Sequence, residues 1–265
     1  MERVRTLAVA LVALAVAATA AIGEVPAGLR WPARVTLVVV LPVLAGAIAT
    51  LLLPRSAKRL GSSARVRGTA RFHAVVAAVL VLDLAAIGAG YLLGWTTFTF
   101  GEQALEARKL LVLPLALPFT IAAATLGSEW ALHARLWEVA ARGSSPGAAT
   151  ALAVAVGTAL AAPAIVPGFD VGDGGFVASA LLVAATREWI ALALFRAGGL
   201  LVAGAYRGVL VAIEAFGLAD WQSFHFPLAN YVSSTPAFDL LRVAGPLAAA
   251  AVVAFAVRRR PPAAA

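Results

Sequence analysis

Residues 176–217 read FVASALLVAATREWIALALFRAGGLLVAGAYRGVLVAIEAFG. This is an apolar stretch of more than forty residues, interrupted by only five charges. One crossing of the ~30 Å hydrocarbon core takes about 20 residues. At 1.5 Å per residue the stretch is too long for a single crossing. Arg196-Ala197-Gly198-Gly199 is the one place where a tight turn can divide it. Two antiparallel membrane helices are therefore expected, 176–196 and 198–217.

The same reading extends along the chain. Further spans are expected at 5–23, 33–54, 73–95, 109–127, 148–167 and 236–257, with a short tail at 258–265. The expected fold is all-α: a polytopic transmembrane bundle of about eight helices in a single domain, residues 1–257. Composition agrees, with 62% hydrophobic and 13% charged residues. A soluble domain has roughly 45–50% apolar and about 25% charged residues. The first span has a second reading. Met1 to Gly23 carries basic residues, an apolar core and Ala-Thr-Ala before Ala21, which also describes a cleavable signal peptide. Cleavage leaves seven spans and the same orientation.

Cytoplasmic loops carry an excess of Lys and Arg. With the N-terminus inside, the inner segments hold Arg3, Arg5, Arg55, Lys58, Arg59, Arg65, Arg67, Arg71, Arg135, Arg142, Arg196 and Arg258 to Arg260. The outer ones hold only Arg30, Arg34, Arg108 and Lys109. Both termini are thus expected in the cytoplasm of a cell-membrane protein, which requires an even number of spans. Trp31, Trp95 and Trp221 then fall near the outer boundary, and Trp130 and Trp137 near the inner one.

Segment 128–143 follows the fourth span. Trp130, Ala134, Trp137 and Ala141 share a face at helical spacing, with Ser128 as N-cap and Gly143 as stop. It reads as a short amphipathic helix at the inner interface or a cytoplasmic extension of the fourth span. Docking of a protein partner there is an alternative. The basic segment Arg55 to Arg71 suits anionic lipid head groups.

The residues most informative about function are the charges inside the spans: Asp83, Arg187, Glu188, Arg207, Glu214, Asp239 and Arg242. Each costs about 2.5–3.5 kcal/mol at a helix centre, so each should face the bundle interior and find a partner. Asp239 and Arg242, three apart, can pair on one face. Arg207 and Glu214, seven apart, also share a face. Gly204 and Gly208 flank Arg207 at the spacing that allows close helix approach. Helices three, six, seven and eight are expected to pack around this polar core. Helices one, two and five read as nearly charge-free lipid-facing material, with helix four kink-prone. Asp83, without a basic neighbour in its own span, is the expected protonatable site. The other reading of the whole set is structural pairing.

Outside the spans, Asp170 and Asp173 among glycines lack the full calcium-loop pattern and read as a polar turn. His225 between two Phe reads as interfacial or as the lip of a cavity. No metal, cofactor or nucleic-acid partner is expected. The chain has no Cys, which removes thiol chemistry and iron–sulfur ligation. No His-Glu-x-x-His, nucleophile elbow or phosphate-binding loop occurs. Glu188 stands alone, unlike the adjacent Glu pair of CAAX-protease-like peptidases. The leading expectation is a transporter or permease-like subunit for a small solute or ion. The alternatives are an intramembrane enzyme acting on a lipid or lipid-linked substrate, and a non-catalytic subunit of a membrane complex.

Overall fold

A computed structural model describes residues 1–25, 30–53, 70–99, 112–165, 174–213, 230–234 and 236–258. Among them the chain forms α1 (Glu2–Gly23), α2 (Arg30–Leu52) and α3 (Ala70–Leu92). Next comes a continuous fourth rod, α4. It is α-helical over Val112–Ala123, π-helical over Ala124–Trp137 and α-helical again over Glu138–Gly143. Then follow α5 (Pro146–Ile165), α6 (Gly174–Gly198), α7 (Leu200–Ala212) and α8 (Pro236–Arg258). The protein is an all-α helical bundle. Six of its helices are long and apolar enough to cross a membrane, among the described residues, and Val39–Leu52 and Leu200–Ala212 are shorter apolar helices. Large apolar side chains such as Val9, Leu51, Val81, Phe119, Leu240 and Phe255 stand exposed on its outside. Helices apolar on every face are what a lipid solvent permits.

The long apolar stretch divides where its glycines sit. α6 ends at Gly198 and α7 begins at Leu200, so Gly199 alone makes the turn. Its φ of 93° lies in the left-handed region that a side chain disfavours.

Two groups of helices share the core. In one, Val4, Leu7 and Leu11 of α1, Ala45 and Ala49 of α2, Leu132 and Leu136 of α4, and Ala149 and Val156 of α5 form a buried cluster. In the other, Val79 of α3, Ile190 and Leu194 of α6, Tyr206 and Leu210 of α7, and Ala249 and Val253 of α8 do the same. A third cluster joins them, with Trp130 and Ala134 of α4 against Leu192, Phe195, Leu200 and Ala203. The first helix is thus an integral wall of the bundle: Val4, Leu7, Leu11, Ala15, Ala18 and Ile22 are all buried.

The fourth helix differs most from expectation. Segment 128–143 is not a separate amphipathic interfacial helix. It continues the fourth span without a break, and residues 128–136 are all buried. Arg135, expected in an inner loop, is buried with its guanidinium 4.3 Å from the Trp130 ring centre. Trp130, expected at a boundary, donates its indole N–H to Thr50 Oγ1 at 3.0 Å inside the bundle. Glycines allow α4 this central place. A Cβ on Gly46 of α2 would stand 2.9 Å from Gly127 Cα, and one on Gly127 would stand 2.8 Å from Pro42 Cβ. Gly204 and Gly208 let α7 close on α4 at Thr125 and Ile121.

Thr96–Thr99 (β1) and Asn230–Ser234 (β2) pair antiparallel, with a register irregularity between Thr97 and Phe98. This small ribbon joins the strand that follows α3 to the one that precedes α8, a pairing that helical periodicity cannot announce.

Candidate functional site

Neighbouring residues on a helix do not face each other. α6 carries Arg187 next to Glu188, and α7 carries Tyr206 next to Arg207. One member of each couple, Arg187 and Tyr206, turns towards Asp83 of α3; of the others, Arg207 meets Glu129 of α4 and Glu188 lies against Gly157 of α5. Two buried ion networks result.

The first is centred on Asp83 of α3. Arg187 donates to its carboxylate from Nε, at 3.0 Å to each oxygen, and from Nη2 at 2.8 Å to Oδ1. The Tyr206 hydroxyl donates to Oδ2 at 2.9 Å. One guanidinium meets one carboxylate in a fork, the geometry that makes such pairs strong. The close approach of α8 supports the same turn of α3, since a Cβ on Gly245 would lie 2.9 Å from Ala86 Cβ and 3.2 Å from the Asp83 carbonyl.

The second network is centred on Arg207 of α7. Its guanidinium pairs with Glu129 of α4 and with Glu188 of α6. Glu129 also holds His133, one turn on, with Nδ1 2.6 Å from Oε2. Glu129, His133 and Glu188 are buried. Gly157 of α5 leaves room for the Glu188 carboxylate, which a Cβ there would strike. The His133 ring lies 5.7 Å from that of Phe195. Two carboxylates therefore share one guanidinium, and an imidazole is the remaining group at ion-pair distance among the described residues. Arg187 and Arg207 are not fully enclosed, their side chains being 18% and 20% exposed.

The structure brings together four of the charges singled out in the sequence, Asp83, Arg187, Glu188 and Arg207. It pairs them differently from same-helix reasoning. Asp83 has a cation after all, supplied by α6 and not by its own span. Arg207 pairs across helices; its expected partner Glu214 lies outside the described residues. Arg242 lies near Phe238, 6.0 Å from the ring centre, while the side chain of Asp239 is outside what is described. Asp170, Asp173 and His225 are outside too, as is the basic segment up to the start of α3. Among the described residues no group of three or more His, Cys, Asp or Glu is placed to hold a metal ion.

Besides Tyr206, sequence reading missed Glu129 and His133. They fell in the segment assigned to an interfacial helix, and their three-turn neighbourhood was read with α-helical spacing. π winding, with its i→i+5 hydrogen bonds, alters which residues share a face. The available signal was the absence of a stop: from Pro118 to Gly143 only Gly127 could have broken the helix.

No family model matches the chain, and neither the curated proteins nor the solved structures provide a similar one.

Proposed function

We propose that the protein is a transporter or permease-like subunit that moves a small solute or ion past the Arg207 network. The observation that supports this is a buried ionic cluster, drawn from α4, α6 and α7, at the seam between two groups of helices. Secondary transporters place their sites midway across the bilayer between helix groups. Ionisable side chains inside a membrane bundle are costly and mark ion or substrate paths. The partial exposure of Arg207 fits a group that solute can reach. The long π-helical segment carrying Glu129 adds support, because such winding occurs frequently at functional sites.

In this reading the Asp83–Arg187–Tyr206 network fastens α3, α6 and α7, and the Arg207 network meets the solute. The protein resides in the cell membrane with both termini in the cytoplasm, and the 55–71 segment holds anionic lipid. The absence of native Cys lets a single Cys at Ala265 report the side of the C-terminus by its reaction with an impermeant maleimide.

The test is reconstitution into proteoliposomes on a solid-supported membrane. Rapid exchange through small cations, amino acids and organic anions should give solute-dependent currents that Arg207→Gln removes. Currents that persist in Arg207→Gln would contradict the assignment. A lipid-linked compound co-purifying in native mass spectrometry, with no current from any solute, would favour the enzyme instead.

A further inference from the structure

The second network is short of positive charge. In the first, Asp83 is matched by Arg187. In the second, Glu129 and Glu188 share Arg207 as their one guanidinium among the described residues. With both carboxylates ionised and His133 neutral, one negative charge remains where an uncompensated charge is expensive. His133 is placed to cancel it, against Glu129 Oε2 and buried.

The other groups around it do not supply the missing charge. Arg187 of α6 is committed to Asp83. Arg196, also of α6, lies over the Trp137 ring at 5.3 Å. Arg135 of α4 itself lies over Trp130, and Glu138 would add negative charge. Tyr206 of α7 donates to Asp83. α5 has no ionisable side chain, residues 37–52 of α2 have none, and those of α1 are confined to Glu2, Arg3 and Arg5 at its start.

We infer that Glu129 and His133 form a single-proton binding site within the bundle, and that a proton is the ion coupled to solute movement. The role in coupling rests on the transport reading above; the site does not. Neutral His133 keeps its own proton on Nδ1, the nitrogen 2.6 Å from Glu129 Oε2. Loading forms one N–H bond at the Nε2 lone pair and breaks one O–H bond of the hydronium that delivers the proton, leaving water. The imidazolium and Arg207 then balance the two carboxylates. Release returns the proton from Nε2 and restores the excess negative charge on Arg207. The strength with which Arg207 is held by Glu129 and Glu188 therefore changes with each proton bound, at the residue that meets the solute. Histidine suits the task because its charge changes near neutral pH.

The experiment is nitrogen-15 NMR of histidine-labelled, full-length protein in lipid nanodiscs. There are only three His, and His73→Gln and His225→Gln assign the other two signals. The His133 signal should show both the neutral and the doubly protonated form as the pH is varied. Glu129→Gln should lower the proton affinity by about tenfold or more, which is one pH unit of midpoint. Arg207→Gln should raise it. A His133 signal that keeps one form throughout would overturn the site, as would a midpoint indifferent to Glu129→Gln. The wild-type titration decides alone if a variant does not fold. Proteoliposome currents then separate the claims. Solute currents that a pH gradient leaves unchanged would remove the coupling and keep transport. A titrating His133 with no solute current would keep the proton site and remove transport.

Discussion

The two ion networks are built from neighbouring residues and differ in one respect. Around Asp83 one carboxylate meets one guanidinium in a fork, with a tyrosine hydroxyl on the same carboxylate. Around Arg207 one guanidinium is divided between two carboxylates, with a histidine on one of them. A one-residue step along α6 and α7 sends Arg187 and Tyr206 to the first, and Glu188 and Arg207 to the second. Matched charge makes the first a fastening. On the reading proposed above, unmatched charge makes the second responsive to protons and to ionic solutes.

Breaking the first network should have the largest effect on stability. Arg187→Met leaves Asp83 buried without its cation, and removing one member of a buried pair costs about 3–5 kcal/mol. Thermal unfolding in detergent should show it, and Asp83→Leu in the same chain should recover much of the loss. A double variant no more stable than Arg187→Met would show that the pair is not the unit it is described as here.

The second network should be more forgiving, and its response should depend on pH. Arg207→Gln leaves two buried carboxylates without a cation, but the Gln amide keeps a donor where Met keeps none, so the loss should fall at the lower end of the range given for Arg187→Met, about 3 kcal/mol near neutral pH. Those carboxylates can take up protons, which removes the buried charge, so the deficit should shrink as pH falls. A deficit that grows with acid would reverse the assignment of excess negative charge to this network.

Packing around the networks gives a smaller contrast. Gly157→Ala pushes a methyl into the Glu188 carboxylate and should cost about 1–3 kcal/mol by overpacking. Gly147 on the same helix has open space around it, and its change to Ala should move the melting temperature little. Tyr206→Phe removes one hydrogen bond to a carboxylate that keeps Arg187. The expected loss, about 1 kcal/mol, is the smallest of the set, and a loss as large as that of Arg187→Met would make Tyr206 the main support of Asp83.

Most of the fold was legible in the sequence because lipid-facing helices declare themselves by length and apolarity. The division of residues 176–217 followed from length and from Gly198-Gly199, and Gly199 makes the turn. The four intramembrane charges that meet were also legible, because cost alone marks them. Partner choice was not. Asp83 finds Arg187 more than a hundred residues away, and nothing local to Asp83 indicates it. The central place of α4 was hidden for a different reason. Glu129, His133 and Arg135 lower its apolarity, so its second half resembled a surface helix, when those polar groups are buried inside the bundle. Gly46, Gly127 and Gly157 were unremarkable as glycines until the neighbours they admit were visible.

The division of labour between the networks is tested most directly by comparing solute-driven currents from two neutralised variants in the same proteoliposomes. Glu129→Gln alters the network assigned to the solute, while the paired change Asp83→Asn with Arg187→Gln alters the one assigned to fastening. The account predicts that Glu129→Gln removes the current and that the paired variant, once folded and inserted, retains it. A current lost in the paired variant and kept in Glu129→Gln would contradict it.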